Sequence, residues 1–503
     1  MIPESCMKIN EKKAPCIAIL GTGSEVGKSI VATALCRLFL NRGINVAPFK
    51  AQNMSNNSGV TPEGLEMGRA QIVQAEAAKI PPHVDMNPIL LKPTSDIGSQ
   101  VVLLGEAVTN STAVEYHSKK NVLFSKACDA LDRLRKTYDL IIMEGAGSCA
   151  EVNLMASDIV NLRMAEYAGA PVILVSDIHR GGVFAQIIGT LACLSNKQQK
   201  MVKGFIINRF RGDINLFKDG VRWIEENTGK KVFGVVPWYD HFHIEAEDSV
   251  VIENPAAVSR VKHNVPAIAV IRLPHISNFT DFDPLSNLPG LDIYFIEKPQ
   301  DLTDFKAIVL PGSKNTRWDL RWLKKIGWAD IIKKYADADG HVLGICGGYQ
   351  MMGRFVHDPQ GLEGTPGTSK GLNLLPIETV LKAPKTTTLT RFLWESIKGE
   401  GYEIHMGETK RSSGNPLFSI CERNLTPCIT EEGCITHDSK LMGTYMHGMF
   451  DSPAITQKWL KSIGLDRIDV PDENRFKAKD NAYDLLAAHF EQHMNTEAIF
   501  DLI

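Results

Sequence analysis

Apolar runs and longer amphipathic stretches alternate along the first half of the chain. Each run is short and uninterrupted, as expected of a strand that is buried on both faces of a sheet. The stretch 30–41 has the apolar spacing of a helix that covers a sheet. This alternation predicts a doubly wound parallel sheet. Its predicted strands are 16–20, 45–49, 140–143, 171–176, 204–208 and 232–236.

A polar and irregular stretch at 251–265 interrupts this pattern, and an α/β pattern restarts after it. Since 503 residues exceed what one hydrophobic core holds, the sequence predicts two domains, 1–250 and 266–503, with 251–265 as the linker. The strands predicted in the second domain are 267–272, 292–296, 307–310 and 341–345, followed by short strands, a loop or edge strand at 382–390 and a helix at 482–492.

Composition and charge narrow the class of protein. Hydrophobic residues make up 44% of the chain and charged residues 22%, which is ordinary for a globular protein. A net charge of −3 gives no electrostatic attraction to nucleic acid or to an anionic membrane. No apolar run reaches the roughly 18 residues of a membrane-spanning helix, and 1–13 lacks the apolar core of a secretory signal. The ten cysteines show no zinc-type spacing, so we expect reduced thiols and a cytoplasmic protein.

The stretch 21–29 (GTGSEVGKS) follows a predicted strand and opens a predicted helix. A phosphate-binding loop needs this context, because its backbone N–H groups must face the phosphates at a helix N-terminus. Thr22 stands where the first glycine of the usual pattern is expected, so the loop is a variant form, and an unrelated Gly-rich turn is the alternative. The residues predicted to bind a nucleoside triphosphate, with ATP as the cofactor, are Gly23, Glu25, Val26, Gly27, Lys28 and Ser29.

Further candidates end neighbouring strands, where ligands bind in open α/β sheets. Lys50 closes the second strand and is predicted to contact the nucleotide. Glu144 and Asp177 close two others and, with the Ser29 hydroxyl, are predicted to hold Mg²⁺. An Asp at a strand end is more often a helix cap, which is the alternative for Asp177. Asn208 also ends a strand, where it can bond an adenine edge or serve as a structural amide.

The stretch 49–58 (FKAQNMSNNS) is dense in amides and hydroxyls directly after a strand. Such residues are common in turns, so an ordinary polar loop is one interpretation. Its place beside the phosphate loop instead favours substrate recognition through neutral hydrogen bonds. The residues predicted to bind substrate are Gln52, Asn53, Ser55 and Asn56.

The stretch 342–350 (VLGICGGYQ) reads as a strand, a sharp turn and a helix, with Cys346 at the turn. A lone buried cysteine usually belongs to a core, but the flanking glycines permit the strained turn that a nucleophile needs. A cysteine that hydrolyses glutamine also requires a base and two backbone donors for the oxyanion. We predict His447 as the base, with His405 as the next candidate. We predict Gly347 as one oxyanion donor, and Gly312 or its neighbour Ser313 as the other.

With both motifs present, nearly the whole chain resembles the cobyric acid synthase family of the cobalamin pathway. The first half is similar to dethiobiotin synthetase-like P-loop enzymes, and the second to class I glutamine amidotransferases of the cobyrinate subgroup. The stretches that carry the resemblance to this family are 50–58, 87–93, 176–185 and 401–407.

The resemblance implies a glutamine-dependent amide ligase that amidates carboxylates b, d, e and g of adenosylcobyrinic acid a,c-diamide. Each amidation would consume one ATP and one glutamine, with ammonia attacking an acyl phosphate. The partners implied are therefore a corrinoid and glutamine. In the wider amidotransferase class a glutamate follows the catalytic histidine by two residues. Met449 stands there, so the orienting partner of His447 is unassigned from sequence.

Two other functions compete with this one. Cobyrinic acid a,c-diamide synthase shares both domains, but 50–58 and 87–93 argue against it. A partner-switching P-loop ATPase with an inactive amidotransferase-like domain would carry a second lysine near the loop start. Here 23–25 is Gly-Ser-Glu, which disfavours that alternative.

Overall fold

Parallel strands with helices between them form the first part of the molecule. The computed structural model describes residues 13–95, 98–239, 265–471 and 475–503. Up to residue 239 the strands are β1 (Cys16–Gly21), β2 (Val46–Phe49), β3 (Gln52–Met54), β4 (Ser58–Val60), β5 (Glu66–Gly68), β6 (Ile89–Ser95), β7 (Gly98–Leu103), β8 (Glu106–Thr112), β9 (Leu140–Glu144), β10 (Val172–Asp177), β11 (Val202–Phe210) and β12 (Lys231–Pro237). The helices are α1 (Lys28–Asn41), α2 (Arg69–Ala77), α3 (Ala113–Thr137), α4 (Leu162–Ala168), α5 (Val183–Cys193), α6 (Asn196–Met201) and α7 (Lys218–Thr228).

The main sheet of this part has the order β12-β11-β10-β1-β9-β2, and all its strands run parallel. The six strands predicted from the apolar runs are its six members, and the predicted fold class is confirmed. β1 lies between β9 and β10, so the loop that follows β1 emerges between the carboxyl ends of those two strands. This order brings the ends of three predicted strands to one place.

The polar stretch 49–58 is more regular than a loop. Its middle forms β3, which pairs in parallel with β6 in a second sheet of order β3-β6-β7-β8. Its last residue begins β4, which pairs with β5. The structure therefore fixes this polar segment on strands rather than on a free turn.

The rest of the described chain, from residue 265 onward, contains a second six-stranded sheet together with several smaller ones. Its strands are β13 (Ala267–Ile271), β14 (Ile276–Ser277), β15 (Asp292–Ile296), β16 (Ala307–Leu310), β17 (Gly312–Ser313), β18 (His341–Ile345), β19 (Phe355–Asp358), β20 (Gly367–Lys370), β21 (Ile377–Val380), β22 (Thr386–Trp394), β23 (Ile397–His405), β24 (Glu408–Arg411), β25 (Phe418–Arg423), β26 (Thr426–Glu432), β27 (Cys434–Ile435) and β28 (Leu441–Thr444). Its helices are α8 (Asp283–Ser286), α9 (Thr316–Lys325), α10 (Trp328–Asp337), α11 (Gly347–Met352), α12 (Pro453–Ser462), α13 (Arg475–His493) and α14 (Thr496–Phe500).

The sheet order in this part is β15-β13-β16-β18-β28-β27, parallel except for the short β27. The segment 382–390 differs from the prediction of a loop or edge strand. Most of it belongs to β22, an inner strand that pairs with β23 on one side and β25 on the other. Its threonines are β-branched and suit a strand, which outweighs the turn signal of the preceding proline.

The last two helices depart from the predicted division into 1–250 and 266–503. α13 and α14 pack on the first sheet, where Tyr483, Leu486 and Phe490 share a buried cluster with Ile17 and Ile19. Their apolar pattern predicts a helix but carries no information about which sheet the helix covers. Of the predicted linker 251–265, residues 251–264 lie outside the described residues.

Candidate functional site

The loop after β1 has the geometry of a phosphate loop. Gly27 has φ 96°, and a Cβ placed there would lie 2.1 Å from Nδ2 of Asn208. That amide donates to the carbonyl of Val26 at 2.9 Å. Only glycine fits this close approach and this backbone conformation. Helix α1 then starts at Lys28, so its N-terminus faces the loop.

Lys28 lies across the mouth of this loop. Its Nζ donates to the carbonyls of Gly23 at 3.0 Å and Gly147 at 2.9 Å, and it is buried. Glu25, with φ 58°, forms an ion pair with the exposed Arg180 at 2.8 Å. The predicted phosphate-binding residues 23–29 are therefore brought together on one loop, and their binding of nucleotide stays a prediction.

Glu144 sits at the centre of a buried set of hydrogen-bond donors. Its Oε1 accepts from the Ser29 hydroxyl and from Nζ of Lys50, each at 2.8 Å. Its Oε2 accepts from Nε2 of Gln71 at 3.3 Å and of Gln74 at 2.6 Å. The structure thus joins three predicted residues and adds two glutamines that sequence reasoning missed. The available signal was two fully apolar-flanked glutamines, three residues apart, on one face of α2.

Asp177 makes different contacts. It accepts from the backbone N–H of His179 at 2.7 Å and from the guanidinium of Arg209 at 3.0 Å. In the described part of the chain, Asp177 makes no hydrogen bond to Ser29 or Glu144. The described residues also contain no cluster of three or more His, Cys, Asp or Glu side chains that could hold a metal ion. The Ser29 hydroxyl and the Glu144 carboxylate are adjacent hard oxygen donors and fit Mg²⁺, whose other ligands would be phosphate and water oxygens.

Of the four predicted substrate residues, three make side-chain hydrogen bonds within the structure, and Asn56 has a buried oxygen without a partner among the described residues. Gln52 accepts a hydrogen bond from the Tyr116 hydroxyl. The Asn53 amide is buried and donates to Oε1 of Gln71 at 3.2 Å, which links it to the carboxylate network. Ser55 is buried and accepts from a backbone N–H within its own turn. Oδ1 of Asn56 is buried and has no partner in the described structure, so it is a polar atom available to a ligand.

Cys346 occupies a strained elbow between β18 and α11. Its φ of 52° and ψ of −109° are rare for a side chain with a Cβ. The two following glycines are sterically required. A Cβ on Gly348 would lie 1.9 Å from the Leu310 carbonyl oxygen, and one on Gly347 would lie 2.7 Å from the Ser313 nitrogen. The elbow therefore lies directly against β17, which carries Gly312 and Ser313, the predicted second oxyanion donors.

His447 has a buried carboxylate partner. Its Nδ1 is 2.7 Å from Oδ2 of Asp281, and the other oxygen, Oδ1, accepts from the Gly448 backbone at 2.9 Å. Burial disfavours the charged imidazole, but Asp281 and the Cys346 thiol outweigh it and raise the pKa of His447 to about 10. Asp281 thus takes the place that sequence left unassigned. It lies 166 residues before His447, and no local pattern marks it.

The alternative base, His405, is placed otherwise. Its ring stacks on Tyr445 with centroids 3.6 Å apart, and its Nε2 is 3.4 Å from Oε2 of Glu403. Its Nδ1 is buried and has no partner in the described residues. His447, in contrast, lies close enough to Cys346 for the cysteine to raise the pKa of the imidazole. The geometry favours His447 over His405 as the base.

A cavity of about 320 Å³ opens beside Cys346. Both parts of the chain form its wall, since Lys92 on β6 and Lys385 just before β22 line it. These two ammonium groups bind one buried carboxylate, Glu66 on β5, at 2.7 and 2.5 Å. Burial raises the pKa of Glu66, but Lys385 and Lys92 outweigh it and hold that pKa well below its usual range.

The contact between the two parts also supports the turn that carries Asp281. The backbone N–H of Ser58 donates to Oδ1 of Asn278 at 3.3 Å, and the Thr280 hydroxyl donates to Oδ1 of Asn57 at 3.1 Å. Asn278 lies three residues before Asp281, and Thr280 immediately precedes it. The polar stretch of the first part therefore holds the turn that carries the partner of His447.

One continuous segment, residues 66–74, reaches both sites. β5 runs directly into α2. Glu66 pairs with Lys92 and Lys385, which line the cavity, and Gln71 and Gln74 donate to the Glu144 carboxylate. No loop separates the strand from the helix. The two candidate sites are thus joined by nine residues of regular structure.

No helix among the described residues has the length and hydrophobicity to span a bilayer. Residues 17–250 match the family model for the CobQ/CobB/MinD/ParA nucleotide binding domain. Residues 267–455 match that for the CobB/CobQ-like glutamine amidotransferase domain.

Proteins similar over almost their whole length share one name. A cobyric acid synthase from Chlorobium phaeobacteroides strain BS1 is 50% identical over 97% of this chain and 99% of the relative. Cobyric acid synthases from Chloroflexus aurantiacus and Salmonella agona are 44% and 45% identical. They cover 95% and 97% of this chain, and 96% and 98% of their own lengths. The chain therefore belongs to the cobyric acid synthase family, and it is a glutamine-dependent amide ligase.

Proposed function

We propose that the protein converts carboxylates b, d, e and g of adenosylcobyrinic acid a,c-diamide to amides, with glutamine as the nitrogen donor and ATP as the activator. The observation that carries the proposal is the full-length likeness to cobyric acid synthases, at 50% identity in one case, in a chain that holds both candidate sites. A family likeness alone would not assign the residues, so the two sites are argued separately.

At the glutaminase site, the Cys346 thiolate attacks the side-chain amide of glutamine. His447 holds the proton that the thiol has lost and gives it to the departing ammonia. Asp281 binds the imidazole Nδ1 and so leaves Nε2 for the thiol and the leaving group. The backbone N–H groups of Gly347 and Gly312 donate to the oxyanion. Water then hydrolyses the thioester and releases glutamate.

At the synthetase site, the loop amides and Lys28 hold the triphosphate. Mg²⁺, bound by Ser29 and Glu144, would offset phosphate charge. The Lys50 ammonium group forms an ion pair with Glu144 and adds positive charge to the site. The substrate carboxylate takes the γ-phosphate, and ammonia displaces that phosphate from the acyl group. Gln52, Asn53, Ser55 and Asn56 are proposed to contact the corrinoid.

The test is incubation of the purified protein with ATP, Mg²⁺, glutamine and the a,c-diamide, followed by mass spectrometry. We expect four successive mass changes, each equal to replacement of OH by NH₂. Cobyrinic acid, offered in parallel, should not be amidated at a and c. Amidation of cobyrinic acid at those two positions, with none of the a,c-diamide, would instead make the protein an a,c-diamide synthase.

A further inference from the structure

The cavity beside Cys346 holds one more positive charge than its own residues neutralise. Lys92 and Lys385 share Glu66. Lys314 also lines the cavity and is half-buried, and its Nζ makes no hydrogen bond or ion pair with any described residue. An ammonium group that is partly removed from water without a contacting counter-ion is destabilised. Lys314 therefore lacks a contacting anion.

Lys314 is held firmly where it faces this space. It follows β17, and its backbone N–H donates to the His275 carbonyl at 2.9 Å. Burial, followed by the nearby Lys385 and Lys92, lowers the pKa of Lys314 to about 7, although Glu66 and Glu363 act to raise it. A ligand carboxylate placed there restores the charged form of Lys314.

Glu363 lines the same cavity and provides the opposite charge. One of its oxygens accepts from the Arg317 backbone N–H at 2.9 Å, which fixes the side chain at the start of α9. Lys314 and Glu363 affect each other's pKa, yet they form no ion pair. The two charged side chains thus line one cavity without forming an ion pair, and a ligand with both charges can contact each of them.

His405 supplies an independent sign that a polar ligand belongs here. It lines the cavity, it is about nine-tenths buried, and its Nδ1 has no partner in the described structure. Buried polar atoms are nearly always hydrogen-bonded. The unpartnered nitrogen, the unpaired lysine and the fixed carboxylate all border one space next to the nucleophile.

We infer that Lys314 binds the α-carboxylate of glutamine and Glu363 binds its α-ammonium group, so that these two residues select a free amino acid over other primary amides. The inference rests on the proposed hydrolysis of glutamine at Cys346. It explains selection against glutaminyl side chains in proteins, which carry the same γ-amide but neither α-charge.

The test compares substrates that differ only at the α-groups. The full-length protein is incubated with L-glutamine, L-glutaminamide or 2-oxoglutaramate. The acid that is released by hydrolysis of the γ-amide is then measured for each substrate. L-Glutaminamide lacks the carboxylate charge, and 2-oxoglutaramate lacks the ammonium group. The variants are Lys314→Met, Lys314→Arg and Glu363→Gln, with Lys306→Met as the matched control because Lys306 is an exposed lysine of the same domain.

We expect Lys314→Met to raise KM for L-glutamine by about 100-fold with a smaller change in kcat, since the lost contact is made in the ground state and the transition state alike. The wild-type preference for L-glutamine over L-glutaminamide should fall to within a few-fold in Lys314→Met and be partly restored in Lys314→Arg. Glu363→Gln should lose the preference over 2-oxoglutaramate. Lys306→Met should behave as wild type.

Two results overturn the inference: a KM of Lys314→Met within twofold of wild type, or an unchanged preference against L-glutaminamide. Misfolding is checked by alkylation of Cys346 with iodoacetamide, an uncharged reagent that does not use the α-group contacts. Failure of the proposed function is seen separately, because wild-type protein would then fail to amidate the corrinoid from free ammonia as well as from glutamine.

Discussion

At the scale of single residues, Asp281 decides how His447 behaves. The imidazole is fully buried, and burial alone would favour its neutral form. The carboxylate 2.7 Å away reverses this preference. The proton that ammonia needs on departure is therefore stored on His447 over the physiological pH range.

Replacing Asp281 with Asn should lower kcat for glutamine hydrolysis by about 100-fold. The pKa of His447 is raised to about 10, so the imidazolium is present below that pH and is lost above it. Without the Asp281 charge this pKa falls, and the alkaline limb of the pH–rate profile should move to lower pH. Asp304→Asn, at an exposed carboxylate in the same domain, is the control. An alkaline limb at the same pH in both variants would remove Asp281 from the site.

Cys346→Ser should abolish synthesis from glutamine and leave synthesis from ammonia, because the second domain supplies only ammonia. The measurement is amide formation with each nitrogen donor at saturating ATP. Equal loss with both donors would contradict the division of labour between the two sites.

Lys28→Ala should remove synthesis with either donor, since no acyl phosphate forms without a held γ-phosphate. Basal release of glutamate should survive in part. Near wild-type synthesis in this variant would mean that loop 21–29 is not the nucleotide site.

The residues that could be predicted from the sequence stand in short motifs. The residues that were missed reach the sites only through contacts between distant parts of the chain. Cys346 and Lys28 stand in motifs that also dictate their backbone, and the structure places both as those motifs require. Asp281, Gln71 and Gln74 have no such pattern, because their roles depend on contacts made far along the chain. Asp177 is a strand-end carboxylate that matches a metal ligand by position; the structure pairs it with Arg209, and its binding of Mg²⁺ stays a prediction.

At the scale of elements, α13 stabilises α1, the helix that begins at the end of the phosphate loop. The guanidinium of Arg37 on α1 is fully buried and contacts Asp480 at 2.5 Å and Asp484 at 3.4 Å. The final helices thus stabilise the first domain, although the chain reaches them after passing through the second.

Arg37→Met should lower the free energy of unfolding by about 2 kcal/mol, less than for a fully buried pair because both acidic partners are partly exposed. Arg42→Met, at an exposed arginine on the turn that follows the same helix, should leave stability within error. Urea unfolding measures both. Equal effects of the two substitutions would mean that the buried pair contributes no more than a surface one.

At the scale of the whole molecule, residues of both parts of the chain line the cavity beside Cys346, so we expect glutamine hydrolysis to depend on both parts. Glu66→Gln keeps the shape of the side chain but leaves Lys92 and Lys385 without their counter-ion. We expect the ratio of glutamate released to amide formed to rise several-fold, because the cavity wall loses the ion pairs of Glu66 with Lys92 and Lys385. Glu408→Gln, which breaks an exposed pair with Lys382, is the control. A ratio that stays at the wild-type value would show that this contact is only structural.

The regular segment 66–74 has a consequence for the fraction of hydrolysed glutamine whose nitrogen ends in an amide. Glutamine hydrolysed without a waiting acyl phosphate is wasted, and the waste grows with every amide the substrate requires. A strand that continues into a helix without a loop transmits displacement rather than absorbing it. Nucleotide binding that shifts Gln71 and Gln74 on Glu144 is thus expected to shift Glu66, and with it the two lysines that line the cavity beside Cys346. Glutamine consumption should then follow the supply of ATP, and spending of the cell's nitrogen donor should be confined to turnovers that end in an amide.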